Sequence, residues 1–164
     1  MTLRACVASA FVIALVAVAP PVANATTATA NLTVTATVLS TCSVTAGSLA
    51  FGNYDPTSAS NVDQAGTFQV TCTKGTSATV GLDTGSNASG STRRMTDGTD
   101  FLSYELYKEA ARTNVWSNSG LGLVSLAAAP SNTAQTLTVY GRISGSQNVG
   151  AGSYSDTVVI TVTF

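Results

Sequence analysis

The chain has 164 residues, with seven Lys or Arg, eight Asp or Glu, no histidine and a net charge of −1. It carries no basic block to grip nucleic acid and no basic amphipathic segment to lie on a membrane. Without histidine, the Ser-His-Asp and Cys-His arrangements of nucleophilic catalysis are excluded.

The chain opens with Arg4, then an apolar run over residues 5–19, then the small residues Ala23, Asn24 and Ala25. A short positive region, a short apolar core and a small-residue site predict a secretory signal over residues 1–25, cleaved after Ala25. The competing reading is an uncleaved membrane anchor. No second apolar run of spanning length follows, so the exported chain is expected to be soluble or assembled rather than inserted. Removal of Arg4 leaves six Lys or Arg against eight Asp or Glu. Residues 26–164 suit one domain with a sizeable core.

The stretch ATANLTVTATVLSTC (28–42) alternates along its length. As a strand it would place Leu32, Val34, Ala36 and Val38 on one face, joined by Ala30, and Asn31, Thr33, Thr35 and Thr37 on the other. An exposed apolar strand invites pairing with another chain. Whose core this face fills is therefore the central question.

Cys6 lies in the signal, leaving Cys42 and Cys72 as an even pair in an exported chain, which predicts a disulfide. The closed loop of about 30 residues would contribute roughly 3.5 kcal/mol in the chain-entropy account. Two distant thiols without histidine fit neither a zinc site nor a CxxC redox motif.

Threonine occurs 25 times after residue 25 and valine is frequent, as a pleated surface favours. Alternating segments follow at 67–73 (Phe68, Val70, Cys72 on one face), 77–83 (Ala78, Val80, Leu82) and 101–107 (Leu102, Tyr104, Leu106). Two more lie at 136–143 (Leu137, Val139, Ile143) and 156–164 (Val158, Ile160, Val162, Phe164). Segments rich in Gly, Asn, Asp and Ser separate them and predict turns. Residues 104–112 could be argued as helix but read better as strand, and 121–131 is expected to hold at most one helical turn. About seven short strands and one disulfide predict an antiparallel β-sandwich.

Chemistry-bearing residues are sparse. Asp97 and Asp100 flank Gly98; a glycosidase pair or a calcium loop is less natural there than a solvated turn. Arg93 and Arg94 read as a solvated loop step pairing a carboxylate, the alternative being contact with a partner subunit. Trp116 reads as core, the alternative being an adhesive surface aromatic. No cofactor or metal is expected. The informative features are the two chain ends, both apolar and strand-like. A strand outside its own domain can complete a neighbour's sheet, and a head-to-tail contact that does not close gives a filament.

Residues 41–56, TCSVTAGSLAFGNYDP, resemble the opening signature of the spore coat protein U domain family, through Cys42, Phe51, Gly52, Tyr54 and Pro56. Residues 66–76 resemble its second cysteine strand, 93–116 its Arg, Met, Leu-Tyr-Leu-Tyr and Trp pattern, and 139–164 its closing signature. The domain includes the subunits of archaic, Csu-type chaperone–usher pili, and a short single-domain chain is most similar to a major pilin of that type.

The resemblance implies an incomplete immunoglobulin-like sandwich completed by a donor strand. It implies a periplasmic chaperone, an outer-membrane usher and other pilin subunits as partners, and surface fibres for attachment and biofilm growth. It places the donor strand at Ala30, Leu32, Val34, Ala36 and Val38. The strand edging the groove and facing the chaperone would carry Val158, Ile160, Val162 and Phe164. The expected organisation is a signal at 1–25, a donor segment at 26–37 and a pilin domain at 38–164. The donor segment runs into the Cys42 strand without a Gly or Pro linker, so its boundary falls between Thr35 and Ser40. A coat or matrix protein without an usher, and a secreted monomeric binding module that folds the strand into its own sandwich, are the alternative functions. An enzyme is the most distant.

Overall fold

A computed structural model describes residues 25–164; the signal expected over residues 1–25 falls, apart from Ala25, outside the described residues. The chain divides into two units, Met1–Ala36 and Thr37–Phe164. In the first, residues 25–36 carry neither helix nor strand and are exposed.

The second unit is an all-β sandwich. Its strands are β1 (Cys42–Thr45), β2 (Val62–Cys72), β3 (Ala78–Leu82), β4 (Arg93–Thr96), β5 (Phe101–Tyr107), β6 (Val124–Leu126), β7 (Gln135–Ile143) and β8 (Ile160–Thr163). One sheet has the order β1-β2-β7-β5-β4 and the other β6-β3-β8. All pairings are antiparallel. No α-helix occurs among the described residues; a single 3-10 turn, Gly120–Gly122, precedes β6.

The alternating segments supply the core as their period of two requires. Phe68, Val70 and Cys72 of β2, Leu102, Tyr104 and Leu106 of β5, and Leu137, Val139 and Ile143 of β7 point inward from the larger sheet. Ala78, Val80 and Leu82 face them from β3. Each buried Val, Leu or Phe contributes roughly 1.5–3 kcal/mol. Trp116 is 1% exposed, packs on Phe68 and donates its indole N–H to the carbonyl of Val80 at 3.0 Å. It is a core residue with its polar atom satisfied. The Cys42–Cys72 disulfide joins directly opposed residues of β1 and β2.

Two of the expected elements come out differently. Residues 156–159 are not strand; β8 begins at Ile160. The region after residue 107 leaves the strand for turns, so the Glu- and Ala-bearing half of 104–112 is neither helix nor strand.

Arg93 and Arg94 lie on a strand, not in a solvated loop. Arg93 is 2% exposed. Its guanidinium pairs with Glu105 on the neighbouring strand and donates to the carbonyls of Asp83 (2.6 and 2.9 Å), Leu82 (3.1 Å) and Trp116 (2.7 Å). Asp83 and Leu82 sit at the end of β3, so one side chain of the larger sheet ties down the backbone of the smaller. Its planar fork of five donors suits that task, whereas a lysine offers three donors at one point. Arg94 instead lies over the Phe101 ring, 4.1 Å from its centre, and donates to the carbonyl of Asn87.

Replacing Arg93 by Met removes this tie and leaves buried carbonyls without donors. Arg93→Met is expected to lower the unfolding free energy by about 3–5 kcal/mol, read from urea denaturation. The exposed control Lys74→Met should change it by less than about 0.5 kcal/mol.

Candidate functional site: an open apolar groove

Beyond β1 the chain continues through residues 46–54 without joining the ladder. It lies hard against β2: a Cβ on Gly47 would collide with the Thr67 carbonyl oxygen, and one on Gly66 would come within 2.6 Å of the Ser48 oxygen. Only glycine permits so close an approach of two backbones. On β7, a Cβ on Gly141 would meet the Phe51 ring at 2.6 Å. The bare backbone there seats Phe51, whose ring meets Tyr104 edge-on with centres 6.0 Å apart. Tyr54 fixes the far end of this wall by donating its hydroxyl to the Ser144 carbonyl and accepting from the Gln147 amide.

The opposite wall is residues 149–160. The start of its 155–159 part is bridged to β4, Ser155 and Thr96 each donating a backbone amide to the other's carbonyl at 3.0 Å, and Thr157 and Val159 are then held from the β3 side. The amides of Asp83 and Ser86 donate to the carbonyls of Val159 and Thr157. The Val159 amide donates to the Asp83 carboxylate at 2.9 Å, and the Asn87 side-chain amide donates to the Ser155 carbonyl. Thr157 and Val159 thus turn their backbone groups toward β3 and its following loop. In an antiparallel strand, alternate residues point their N–H and C=O to opposite edges. The register, with Leu82 opposite Ile160 and Val80 opposite Val162, therefore sends the backbone groups of Val158, Ile160 and Val162 to the outer edge. No strand pairs with that edge among the described residues.

Between the walls lies a cavity of about 490 Å³, floored by Phe68, Leu82, Leu106 and Val139 and flanked by Leu49, Phe51, Val158 and Ile160. It continues past Leu49, Phe51, Met95 and Tyr154 into a second hollow of about 660 Å³ that reaches Val149. The sandwich therefore carries a groove over a buried floor, with half-buried Leu49, Phe51, Val158 and Ile160 on its banks and an unpaired strand edge along one of them. Tyr104 supplies the polar feature inside it. Its hydroxyl donates to Asp156 at 2.7 Å, and burial, reinforced by that carboxylate, pushes its pKa up. It stays a neutral donor.

The residues singled out in the sequence fall as follows. Val158 and Ile160 line the groove. Val162 is half-buried on the same face and Phe164 is 57% exposed beyond the strand. Leu32, Val34 and Val38 are 81–87% exposed and, with Ala30 and Ala36, belong to no strand. A strand requires a partner for its ladder. Asp97 accepts hydrogen bonds from the amides of Thr99 and Asp100, and these hold its carboxyl below the usual range. It acts as a turn residue. Among the described residues no group of three or more His, Cys, Asp or Glu is placed to hold a metal. The 46–54 and 149–154 walls escape pattern reading because they do not alternate. The signal available was apolar Leu49, Phe51, Tyr54, Val149 and Tyr154 in segments otherwise rich in Gly, Asn and Ser.

The Spore Coat Protein U domain profile matches residues 28–161. The chain belongs to the Spore Coat Protein U domain family. Among curated relatives of this family member, Protein U of Myxococcus xanthus is 44% identical over 168 residues, covering 92% of this chain and 91% of that protein. Among solved structures, its fold is similar to a chain of the CsuC–CsuE chaperone–tip adhesion subunit pre-assembly complex from archaic chaperone-usher Csu pili of Acinetobacter baumannii. The TM-score is 0.58 and the identity 27%, over 78% of this chain and 40% of that one. This chain thus spans about two-fifths of the length of that structure's chain. The all-β antiparallel fold agrees with the structural match.

The close approach at Gly47 is what holds one bank of the groove in place. Gly47→Ala is expected to force the 46–51 wall off β2, costing about 1–3 kcal/mol in urea unfolding. Ala50→Ser on the same segment, being exposed, should stay within about 0.5 kcal/mol of the native chain.

Proposed function

We propose that this chain is a structural subunit of a surface fibre of the archaic chaperone–usher kind, built by donor-strand exchange. The observation that carries this reading is the open apolar groove, with its unpaired edge at Val158, Ile160 and Val162. The chain also carries an exposed alternating segment, 28–38, of the chemistry that groove needs. Leu32, Val34 and Ala36, with Ala30 and Val38, recur at the spacing that an inserted strand would present to the floor. The insert would fill the apolar groove, cover its half-buried banks and pair the free edge in one step. A lone subunit would keep its core open, so a periplasmic chaperone would shield the groove until the next subunit arrives at an outer-membrane usher. The likeness to a chain of a chaperone–tip subunit complex supports that route. The proposed organisation is then a cleaved signal at 1–25, a donor segment at 26–37 and an acceptor domain at 38–164. The product is a head-to-tail fibre on the cell surface, serving attachment and biofilm growth. No catalytic role is proposed.

A second reading is favoured by one observation: the 44% match to Protein U runs nearly end to end. Under it, the same strand exchange builds a coat or matrix layer without an usher. The two part on what assembly requires. Fibre secretion that depends on a co-expressed chaperone and usher supports the first. Assembly of purified chains without either supports the second.

The test of strand exchange itself is size-exclusion chromatography of residues 26–164 with native sequence and with Leu32→Asp or Val34→Asp. The native chain should form multimers. Each substitution exchanges a buried aliphatic side chain for a carboxylate in an apolar groove, so affinity between subunits should fall roughly 100-fold or more, with chaperone binding unchanged. Native-like multimers from either variant would remove the donor assignment. A native chain that stays a stable monomer and unfolds when 26–37 is deleted would favour the self-contained binding module.

A further inference from the structure

Donor-strand exchange requires that the chain's own 28–38 segment be kept from filling the groove of its own domain. A hairpin turning at Leu39, Ser40 and Thr41 would lay that segment along the free side of β1 and its continuation, 46–51, which is the groove wall. Connections of two to five residues suffice for such a turn.

Two observations in the Thr37–Phe164 unit oppose it. First, Leu39–Thr41 are hydrogen-bonded along the end of β2 instead of turning back. The Thr73 amide donates to the Thr41 carbonyl at 2.9 Å, one step beyond the Cys42–Cys72 pair. The Thr73 hydroxyl accepts from the Thr41 amide at 3.2 Å, donates to the Leu39 carbonyl at 3.2 Å and lies 3.1 Å from the Thr41 hydroxyl. The backbone of 39–41 is thus held in line with β1. Second, Leu39-Ser40-Thr41 contains none of the Gly, Asn or Asp that tight hairpin turns use for positive φ.

We propose that Thr73 is a positioning residue that keeps the donor segment from entering its own groove, so that the occupant is the 28–38 segment of a second copy. This rests on the donor-strand reading above. The disulfide fixes the end of β1 against β2, and the Thr73 hydroxyl extends that fixed line by three residues. A chain without this extension would fold back and bury Leu32, Val34 and Ala36 in its own core.

The experiment uses residues 26–164 with the disulfide intact, as native chain, Thr73→Val and Thr73→Ser. Valine keeps the shape and strand preference of threonine but removes the hydroxyl; serine restores it. Amide hydrogen exchange is followed at Val158, Ile160 and Val162 in dilute monomer, and multimers are then counted after concentration. In the native monomer these edge amides should exchange freely. In Thr73→Val their protection should rise about fivefold or more, with a matching loss of multimers, because the lost hydroxyl bonds shift the balance toward self-insertion. Thr73→Ser should behave as native. Edge amides already protected in the native monomer would overturn the proposal, and so would a Thr73→Val monomer as unprotected as native. A native monomer with a free edge that forms no multimers would instead remove the fibre reading, leaving the role of Thr73 to its exchange result.

Discussion

The structure depends on one unpaired strand edge. The backbone groups of Val158, Ile160 and Val162 face away from β3, and the half-buried side chains of Val158 and Ile160 line an apolar groove over the core. A buried sheet needs both its ladder and its apolar face covered, and here neither is complete along this line. The wall at 46–54 and the loop at 149–154 are arranged around that deficit.

An incomplete sandwich still has to hold its shape. The chain does so with ties that do not pass through the gap. The Cys42–Cys72 disulfide fixes the first strand to the second. Arg93 reaches from the larger sheet to the carbonyls at the end of β3 and to Trp116, so the two sheets stay in register without the missing strand. Gly47 and Gly66 let the 46–51 wall sit on β2 by backbone contact alone. Thr73 continues the disulfide's constraint toward the N-terminal side. The groove is a preformed feature, and preorganisation of this kind reduces what an incoming strand must order on binding.

Much of this was legible in the sequence because it followed from a period of two. The inward faces of β2, β3, β5 and β7 are the alternating apolar residues, and the single Trp is core. The disulfide follows from two remaining cysteines in an exported chain. What pattern reading missed has physical causes. β4 and β6 are short, and β4 begins with two arginines, one buried by pairing and the other stacked on Phe101; periodicity does not anticipate a buried charge. The strand expected over 156–164 begins only at Ile160, because Ser155 is bridged to Thr96 of β4 while Thr157 and Val159 are held by Ser86 and Asp83, so 155–159 crosses between the sheets instead of joining one regular ladder. The walls of the groove are irregular backbone, positioned by glycines whose purpose shows only when the opposing chain is in view. The 28–38 segment has the pattern of a strand and no ladder.

The measurement that tests the central claim most directly is site-specific photo-crosslinking from Leu32 in multimers assembled from a mixture of isotope-labelled and unlabelled chains. Mass spectrometry then reads both the attachment site and the copy it came from. The account predicts mixed-label crosslinks from Leu32 to the groove, at its 46–54 or 149–160 walls or its Phe68, Leu106 and Val139 floor. Crosslinks confined to the same copy, or to surfaces outside the groove, would contradict it.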